Sequence, residues 1–235
     1  NQDNEWVYWM EGEYRSPNTS KEKLIISLHA SLVDVAETLK GQFFKRFDHC
    51  FLTSATLKVN NSFSYFVRRI GLDDSDNVRT KELLSPFLYN EQVTYHQYGG
   101  AREISTDPTM IGELVYHLHK TLGKRTMVLF TSRKALTDTA NYLKGKPGGR
   151  DLPLFAQTRG ASRPGIIKGM HQHPNGILFG TNSFWEGVDL PGDLLEILIL
   201  VKLPFDVPSE PLVKSYSEFV SRMGGNSFME YTVPE

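Results

Sequence analysis

A single cysteine, Cys50, stands among 235 residues, which excludes an internal disulfide and a four-cysteine cluster built from these residues alone. Nothing near the amino terminus has the shape of a signal peptide, so a reduced, cytoplasmic setting is the expectation. Long apolar runs are also missing. The longest, around Ile197 to Val201, is bounded by Glu196 and Lys202, far short of the roughly 20 residues a helical bilayer span requires. Excess charge of one sign is lacking too: 26 Lys and Arg face 27 Asp and Glu, for a net charge of −1. Nucleic-acid binding, if present, must therefore come from local placement and not from a global field. No low-complexity tract or internal repeat interrupts a composition of 40% hydrophobic and 23% charged residues, which is that of an ordinary globular chain. The length allows one large core or two small ones.

What is present is an alternation. Short apolar runs rich in β-branched residues recur at Leu24–Leu28, Cys50–Thr53, Met127–Thr131, Leu152–Phe155, Ile177–Phe179 and Leu195–Leu203, each reading as a buried strand. Between several of them, apolar residues spaced by three and four predict helices over Val33–Phe47, Met110–Leu122, Ala135–Leu143 and Leu212–Met223. Asp107 followed by Pro108 is a helix start, because the carboxylate caps free N–H groups and proline suits the first helical position. Lys144–Asp151, with Gly145, Pro147, Gly148 and Gly149, is a surface loop. Strands alternating with helices predict a parallel α/β sheet. A polar stretch at Gly71–Asn77, carrying Asp73, Asp74 and Asp76, is a candidate boundary between an initial piece and a larger α/β unit.

Three segments sit where expected strands end: Thr53-Ser54-Ala55-Thr56-Leu57, Leu129-Phe130-Thr131-Ser132-Arg133, and Gly180-Thr181-Asn182-Ser183-Phe184-Trp185-Glu186-Gly187-Val188-Asp189. Open parallel sheets bind ligands beyond the carboxyl ends of their strands, and small hydroxyl residues there offer donors to phosphate. Each segment also has a plainer explanation. The first is a simple strand terminator, Thr131 and Ser132 cap the helix that follows, and Glu186 or Asp189 forms a structural ion pair.

Taken together and in this order, the three segments resemble motifs III, IV and V of superfamily 2 helicases. The wording Thr-Ser-Ala-Thr-Leu with Phe-Trp-Glu-Gly-Val-Asp-Leu-Pro-Gly is similar to the DinG/XPD branch. Ser85-Pro86-Phe87, Leu154-Phe155-Ala156-Gln157 and Leu203-Pro204-Phe205 extend the resemblance over nearly the whole chain. The resemblance implies a RecA-like second motor domain over residues 71–235, with residues 1–70 as the carboxyl-terminal edge of the first motor domain. It implies that Ser54, Ala55 and Thr56 couple the motor halves. Thr131, Ser132, Arg133, Thr181 and Asn182 would touch the phosphates of single-stranded DNA, and Glu186, Gly187 and Asp189 would face the ATP cleft. The parent would be an ATP-driven DNA helicase of 5'-to-3' polarity in the bacterial cytoplasm, associated with the nucleoid, using ATP and Mg2+ and working against the first motor domain of the same chain.

Departures bound that expectation. No Gly-x-x-x-x-Gly-Lys-Ser/Thr loop, no Asp-Glu pair and no Gln-x-x-Gly-Arg motif occurs in these residues, so the chain by itself is expected to be inactive. Beginning at Asn1 and ending at Tyr231–Glu235 without a stop signal, it reads as a fragment. Some DinG-like proteins resemble a helicase fused to an upstream 3'-to-5' exonuclease, which leaves a nuclease as the rival, and a non-catalytic nucleic-acid-binding α/β module as a third reading. Ligands for an iron–sulfur cluster would lie outside this chain. Among the seven histidines, the pairs His117/His119 and His171/His173 invite a metal reading. Two ligands on one helical face need a spacing of three or four, and the spacing of two on the helix containing His117 argues against it, so no metal site is expected.

Overall fold

The computed structural model describes residues 6–15, 23–98 and 107–232, and the chain divides into two compact units, residues 1–92 with 205–235 and residues 93–204.

The first unit opens with an antiparallel hairpin, β1 (Trp6–Arg15) and β2 (Lys23–Leu32), in register from Trp6 opposite Leu32 to Arg15 opposite Lys23. The run Leu24–Leu28 is a strand as expected but not a buried one: Leu28 is 79% exposed. Helical structure follows as α1 (Ala36–Thr38), which widens into a π turn at Leu39–Phe43 around Gly41 and tightens to a 3-10 turn at Phe44–Arg46. The single regular helix expected over Val33–Phe47 is thus three conformations in series.

The strand expected at Cys50–Thr53 is not formed, and Phe51 is 95% exposed. An extended segment becomes a strand only when a neighbour takes up its backbone donors and acceptors, and among the described residues none runs beside this one. Two short helices complete this part, α2 (Ser64–Arg69) and α3 (Tyr89–Gln92). The polar stretch Gly71–Asn77 is a series of turns tied down by the Lys40–Asp74 ion pair at 2.8 Å.

The second unit is the α/β body. It runs α4 (Pro108–Leu122), β3 (Thr126–Leu129), α5 (Arg133–Gly145), β4 (Leu154–Ala156), α6 (Arg163–Gln172), β5 (Ile177–Gly180) and β6 (Ile197–Leu200). Asp107 caps α4 as its sequence predicts, accepting from the Thr109 N–H at 2.8 Å. The four strands are all parallel in the order β4-β5-β3-β6, the RecA-like sheet flanked by helices. Every residue of β3 and β5 is buried, as central strands covered on both faces must be.

Alternation along these two strands builds two cores. Val128, Phe130, Ile177 and Phe179 meet Ile111 and Val115 of α4 and Leu136, Ala140 and Leu143 of α5 on one face. Met127, Leu129 and Leu178 meet Ile166 and Met170 of α6 on the other. The Phe130 and Phe179 rings lie 5.1 Å apart and are fully buried, each such side chain contributing on the order of 1.5–3 kcal/mol by burial.

The carboxyl-terminal segment carries α7 (Pro211–Arg222), whose Val213, Tyr216 and Val220 pack with Val33, Tyr231 and Val7 of the hairpin. Arg69 lies 4.3 Å from the Tyr216 ring centroid. The helix predicted at Leu212–Met223 is therefore present, but it belongs to the first compact unit.

Candidate functional site

Because all four strands of the sheet run the same way, their carboxyl ends emerge along one edge. Leu129 is in register with Gly180, and Ala156 with Phe179. The ladder runs one residue further on each side: the Phe130 N–H donates to Gly180 O at 2.9 Å, and the Gln157 N–H to Phe179 O at 2.9 Å. Thr131, Gln157 and Thr181 are thereby brought to neighbouring positions on the edge where parallel sheets bind their ligands.

After β3 the chain turns directly into α5. Ser132 is the N-cap, its Oγ accepting from the Ala135 N–H at a long 3.4 Å, and the Arg133 carbonyl accepts from the Thr137 hydroxyl at 2.8 Å. Thr131, Ser132 and Arg133 are exposed. The capping role considered for Ser132 is real, and it leaves Thr131 and the Arg133 guanidinium facing solvent beside a helix N-terminus, whose free N–H groups favour negative charge.

After β5 the chain is held much more firmly. Thr181 is 3% exposed, and the Gln157 side chain takes it from both sides: Oε1 accepts from the Thr181 N–H and from its hydroxyl, each at 2.9 Å, while Nε2 donates to Ser183 Oγ at 2.9 Å. A 3-10 turn over Asn182–Phe184 drives the Phe184 ring into the α6-side core. Gly180 makes room for it, since a Cβ there would lie 2.6 Å from the Phe184 Cβ. Trp185 donates its indole N–H to Phe130 O at 3.4 Å, and Val188 and Leu190 pack against the same core. Gly187 has φ +67°, a left-handed conformation that glycine adopts without strain. The Arg163 guanidinium, from the start of α6, donates to the carbonyls of Glu186 (3.2 Å) and Gly187 and lies 5.6 Å from the Phe184 ring centroid.

The outcome is a rigid loop with exposed ionic groups. The Glu186 and Asp189 side chains are exposed and make no hydrogen bond or ion pair among the described residues. The structural ion pair weighed for these carboxylates is thus not what holds the loop; backbone carbonyls and apolar packing do. Ser54, Ala55 and Thr56 lie in the first compact unit, in an exposed turn where the Ser54 and Thr56 hydroxyls are 3.3 Å apart and the Thr56 N–H donates to Ser54 Oγ.

The opposite, amino-terminal edge of the sheet is built differently. Arg125 is buried, and its Nε donates to Met170 O at 3.1 Å and His173 O at 2.9 Å, with Nη1 donating to Asp193 O at 3.0 Å. It thereby neutralises the carbonyl end of α6, where partial negative charge collects. Lys124 hydrogen-bonds Glu196 and holds that carboxyl below its usual range. His119, buried on α4, is pushed down by burial. Among the described residues no group of three or more His, Cys, Asp or Glu side chains gathers to hold a metal.

Sequence reasoning missed Arg163 altogether and gave Gln157 no role beyond its place in Leu154–Gln157. Their partners lie 23 to 26 residues further along, a separation that no local pattern encodes. The available signal was the helix start Ser162-Arg163-Pro164, a serine followed by proline within the first turn.

Comparison with known proteins finds that residues 115–235 match the helicase C-terminal domain. Similar curated proteins include a Bacillus subtilis protein named 3'-5' exonuclease DinG, 32% identical over 99% of this chain and 25% of that protein. A Photobacterium profundum ATP-dependent DNA helicase DinG is 32% identical over 97% of this chain and 32% of its own length. A Haemophilus influenzae ATP-dependent DNA helicase YoaA is 32% identical over 98% of this chain and 34% of its own length. The chain thus spans between a quarter and about a third of the length of these relatives.

Proposed function

We propose that this chain, which belongs to the helicase C-terminal domain family, is the carboxyl-terminal motor portion of an ATP-dependent DNA helicase of the DinG kind. The observation that carries this reading is the loop Thr181–Asp189 at the carboxyl edge of the parallel sheet, fixed by Gln157, Trp185 and Arg163 while Glu186 and Asp189 stay exposed, without a partner among the described residues. Unpaired carboxylates on a preorganised loop suit a ligand supplied from outside the chain, here the ATP cleft with Glu186, Gly187 and Asp189. Thr131, Ser132, Arg133 and Asn182, all exposed, form the track for single-stranded DNA. They grip phosphates through hydroxyls, a guanidinium and backbone N–H groups without reading bases. Thr181, whose hydroxyl is taken by Gln157, serves that track by fixing where the loop begins. Ser54, Ala55 and Thr56 couple this half to the first motor domain.

In this reading residues 71–235 form the second motor domain and residues 1–70 the edge of the first. The family match supports counting 205–235 with the second motor domain, because it runs through them, although they pack on the hairpin. Mg2+ would arrive with ATP; among the described residues no three or more His, Cys, Asp or Glu side chains gather as a metal site of their own, and ligands for an iron–sulfur cluster would come from outside this chain. Among the described residues no helix is long and apolar enough to cross a membrane. The helicase reading itself would put the parent protein at the nucleoid.

A second reading, an exonuclease whose helicase-like portion unwinds little, is favoured by the name of the Bacillus relative. One assay separates the readings: ATP hydrolysis by the full-length protein with and without single-stranded DNA, together with displacement of a 3'-end-labelled strand. The helicase reading expects DNA-stimulated hydrolysis and an intact displaced strand, with the 235-residue chain alone inert. Release of the label as nucleotides would establish the exonuclease, and absence of both activities would leave a binding module.

A further inference from the structure

Gln157 and Arg163 stand at the two ends of one connection, between β4 and α6, and both reach across to the same loop. Gln157 uses both halves of its amide. Its oxygen accepts from the Thr181 N–H and hydroxyl, and its nitrogen donates to Ser183 at 2.9 Å. Arg163 satisfies two successive carbonyls at the other end of the loop, those of Glu186 and Gly187. Those carbonyls flank the bend at Gly187 that sets where Glu186 and Asp189 project. The hydrophobic core beneath the loop is made by Phe184, Met170 and Ile166, with the Arg163 guanidinium beside it, 5.6 Å from the Phe184 ring centroid.

Resting on the helicase reading above, we propose that Gln157 and Arg163 are positioning residues. They clamp the Thr181–Asp189 loop at its two ends to the β4–α6 connection, so that connection and loop move as one piece and the cleft carboxylates keep a fixed aim. Fixing a residue's backbone costs conformational entropy. A loop ordered before ligand arrives does not incur that cost in the catalytic cycle, and its release appears as a lower turnover number. The Gln157 chemistry is specific. A glutamate in its place still accepts from Thr181, while the Ser183 hydroxyl turns to donate, so Gln157→Glu preserves the clamp and Gln157→Ala abolishes it. The Arg163 donors have no such substitute in alanine, whereas Arg163→Lys keeps one charged donor within the same reach.

The test uses the full-length protein and two readouts. Hydrogen exchange is followed at the Thr181, Phe184 and Trp185 amides, which are hydrogen-bonded to Gln157 Oε1, Thr181 O and Asn182 O respectively. DNA-stimulated ATP hydrolysis is measured beside it. Gln157→Ala and Arg163→Ala should speed exchange at these amides at least tenfold, with the β3 amides Thr126–Leu129 unchanged within twofold. Gln157→Glu should stay within threefold of the parent, and Arg163→Lys should fall between Arg163→Ala and the parent. In both alanine variants kcat should fall at least fivefold, and in Arg163→Ala, whose contacts at Glu186 and Gly187 lie at the far end of the loop from Asn182, affinity for single-stranded DNA should stay within twofold. Unchanged exchange at the three amides, faster exchange throughout β3 as well, or a loosened loop with unchanged kcat would each overturn the proposal. A parent protein without DNA-stimulated hydrolysis would instead remove the helicase reading, and the exchange data alone would then decide whether the clamp exists.

Discussion

The two ends of the parallel sheet use polar side chains in opposite ways. At the amino end the groups beside β3 are matched inside the protein: Arg125 feeds the carbonyls of Met170, His173 and Asp193, and Lys124 pairs with Glu196. At the carboxyl end Gln157, Trp185 and Arg163 are matched to the backbone of the loops, but Thr131, Arg133, Glu186 and Asp189 are left to solvent. Polar groups that close on one another stabilise a fold. A firmly held loop whose carboxylates have no partner among the described residues suits the outside ligand that the proposed function gives it.

If that contrast is correct, substitutions at the two ends fail in different ways. The largest effect should come from Arg125→Ala, which strips the donor from the buried Met170 carbonyl and from the part-buried carbonyls of His173 and Asp193. A loss of about 2–4 kcal/mol is expected, given about 1–3 kcal/mol for each buried group left unsatisfied. Urea unfolding of the full-length protein measures it, and an unfolding midpoint equal to that of the parent would mean that the amino end is not the structural end.

A smaller effect, and one on binding alone, is expected from Thr131→Ala combined with Arg133→Ala. Affinity for poly-pyrimidine and mixed-sequence single strands should fall equally, because phosphate contacts carry no base information. With two phosphates neutralised, the logarithm of affinity for the parent chain should fall with the logarithm of salt at a slope of roughly −1.4. Fluorescence anisotropy on both strands reads this. Loss on only one sequence, or none, would remove this strand end from the DNA track, and a much steeper slope would reveal a basic groove elsewhere.

The smallest effect concerns pH. The Lys124 hydrogen bond holds the Glu196 carboxyl low in the folded state, so its stabilisation is present above the ordinary carboxylate pKa and is lost as pH falls through the depressed folded value. The pair is exposed enough for salt to weaken it. Melting temperatures of the parent and Glu196→Gln should differ slightly at neutral pH and converge in acid. A gap that widens in acid would contradict the assignment.

Much of the sheet that carries this contrast was legible in the residues themselves, though not the polar contacts at its amino end. The apolar runs at Met127 and Ile177 mark central strands because burial on both faces leaves no polar positions to interrupt them, and Asp107-Pro108 marks a helix start through chemistry confined to one turn. What escaped depends on distant partners. Cys50–Thr53 is as apolar as a strand, yet no neighbour among the described residues pairs with it. Helix α6 was hidden by Gly165 and Gly169, poor helix formers, of which Gly169 admits the Phe155 ring where a Cβ would meet it at 2.3 Å. The loop Thr181–Asp189 announced itself by composition, whereas the side chains that hold it, Gln157 and Arg163, did not. Their part rests on bonds across more than twenty residues of chain.

The most direct measurement is Asp189→Ala in the full-length protein, with DNA-stimulated ATP hydrolysis and melting temperature recorded on the same preparation. Asp189 is exposed and has no partner among the described residues, so hydrolysis should fall at least tenfold, about 1.4 kcal/mol in barrier height, while the melting temperature and single-strand affinity stay at parent values. A fall in melting temperature matching the loss of activity would make Asp189 part of the scaffold, and unchanged hydrolysis would take the nucleotide cleft away from this loop.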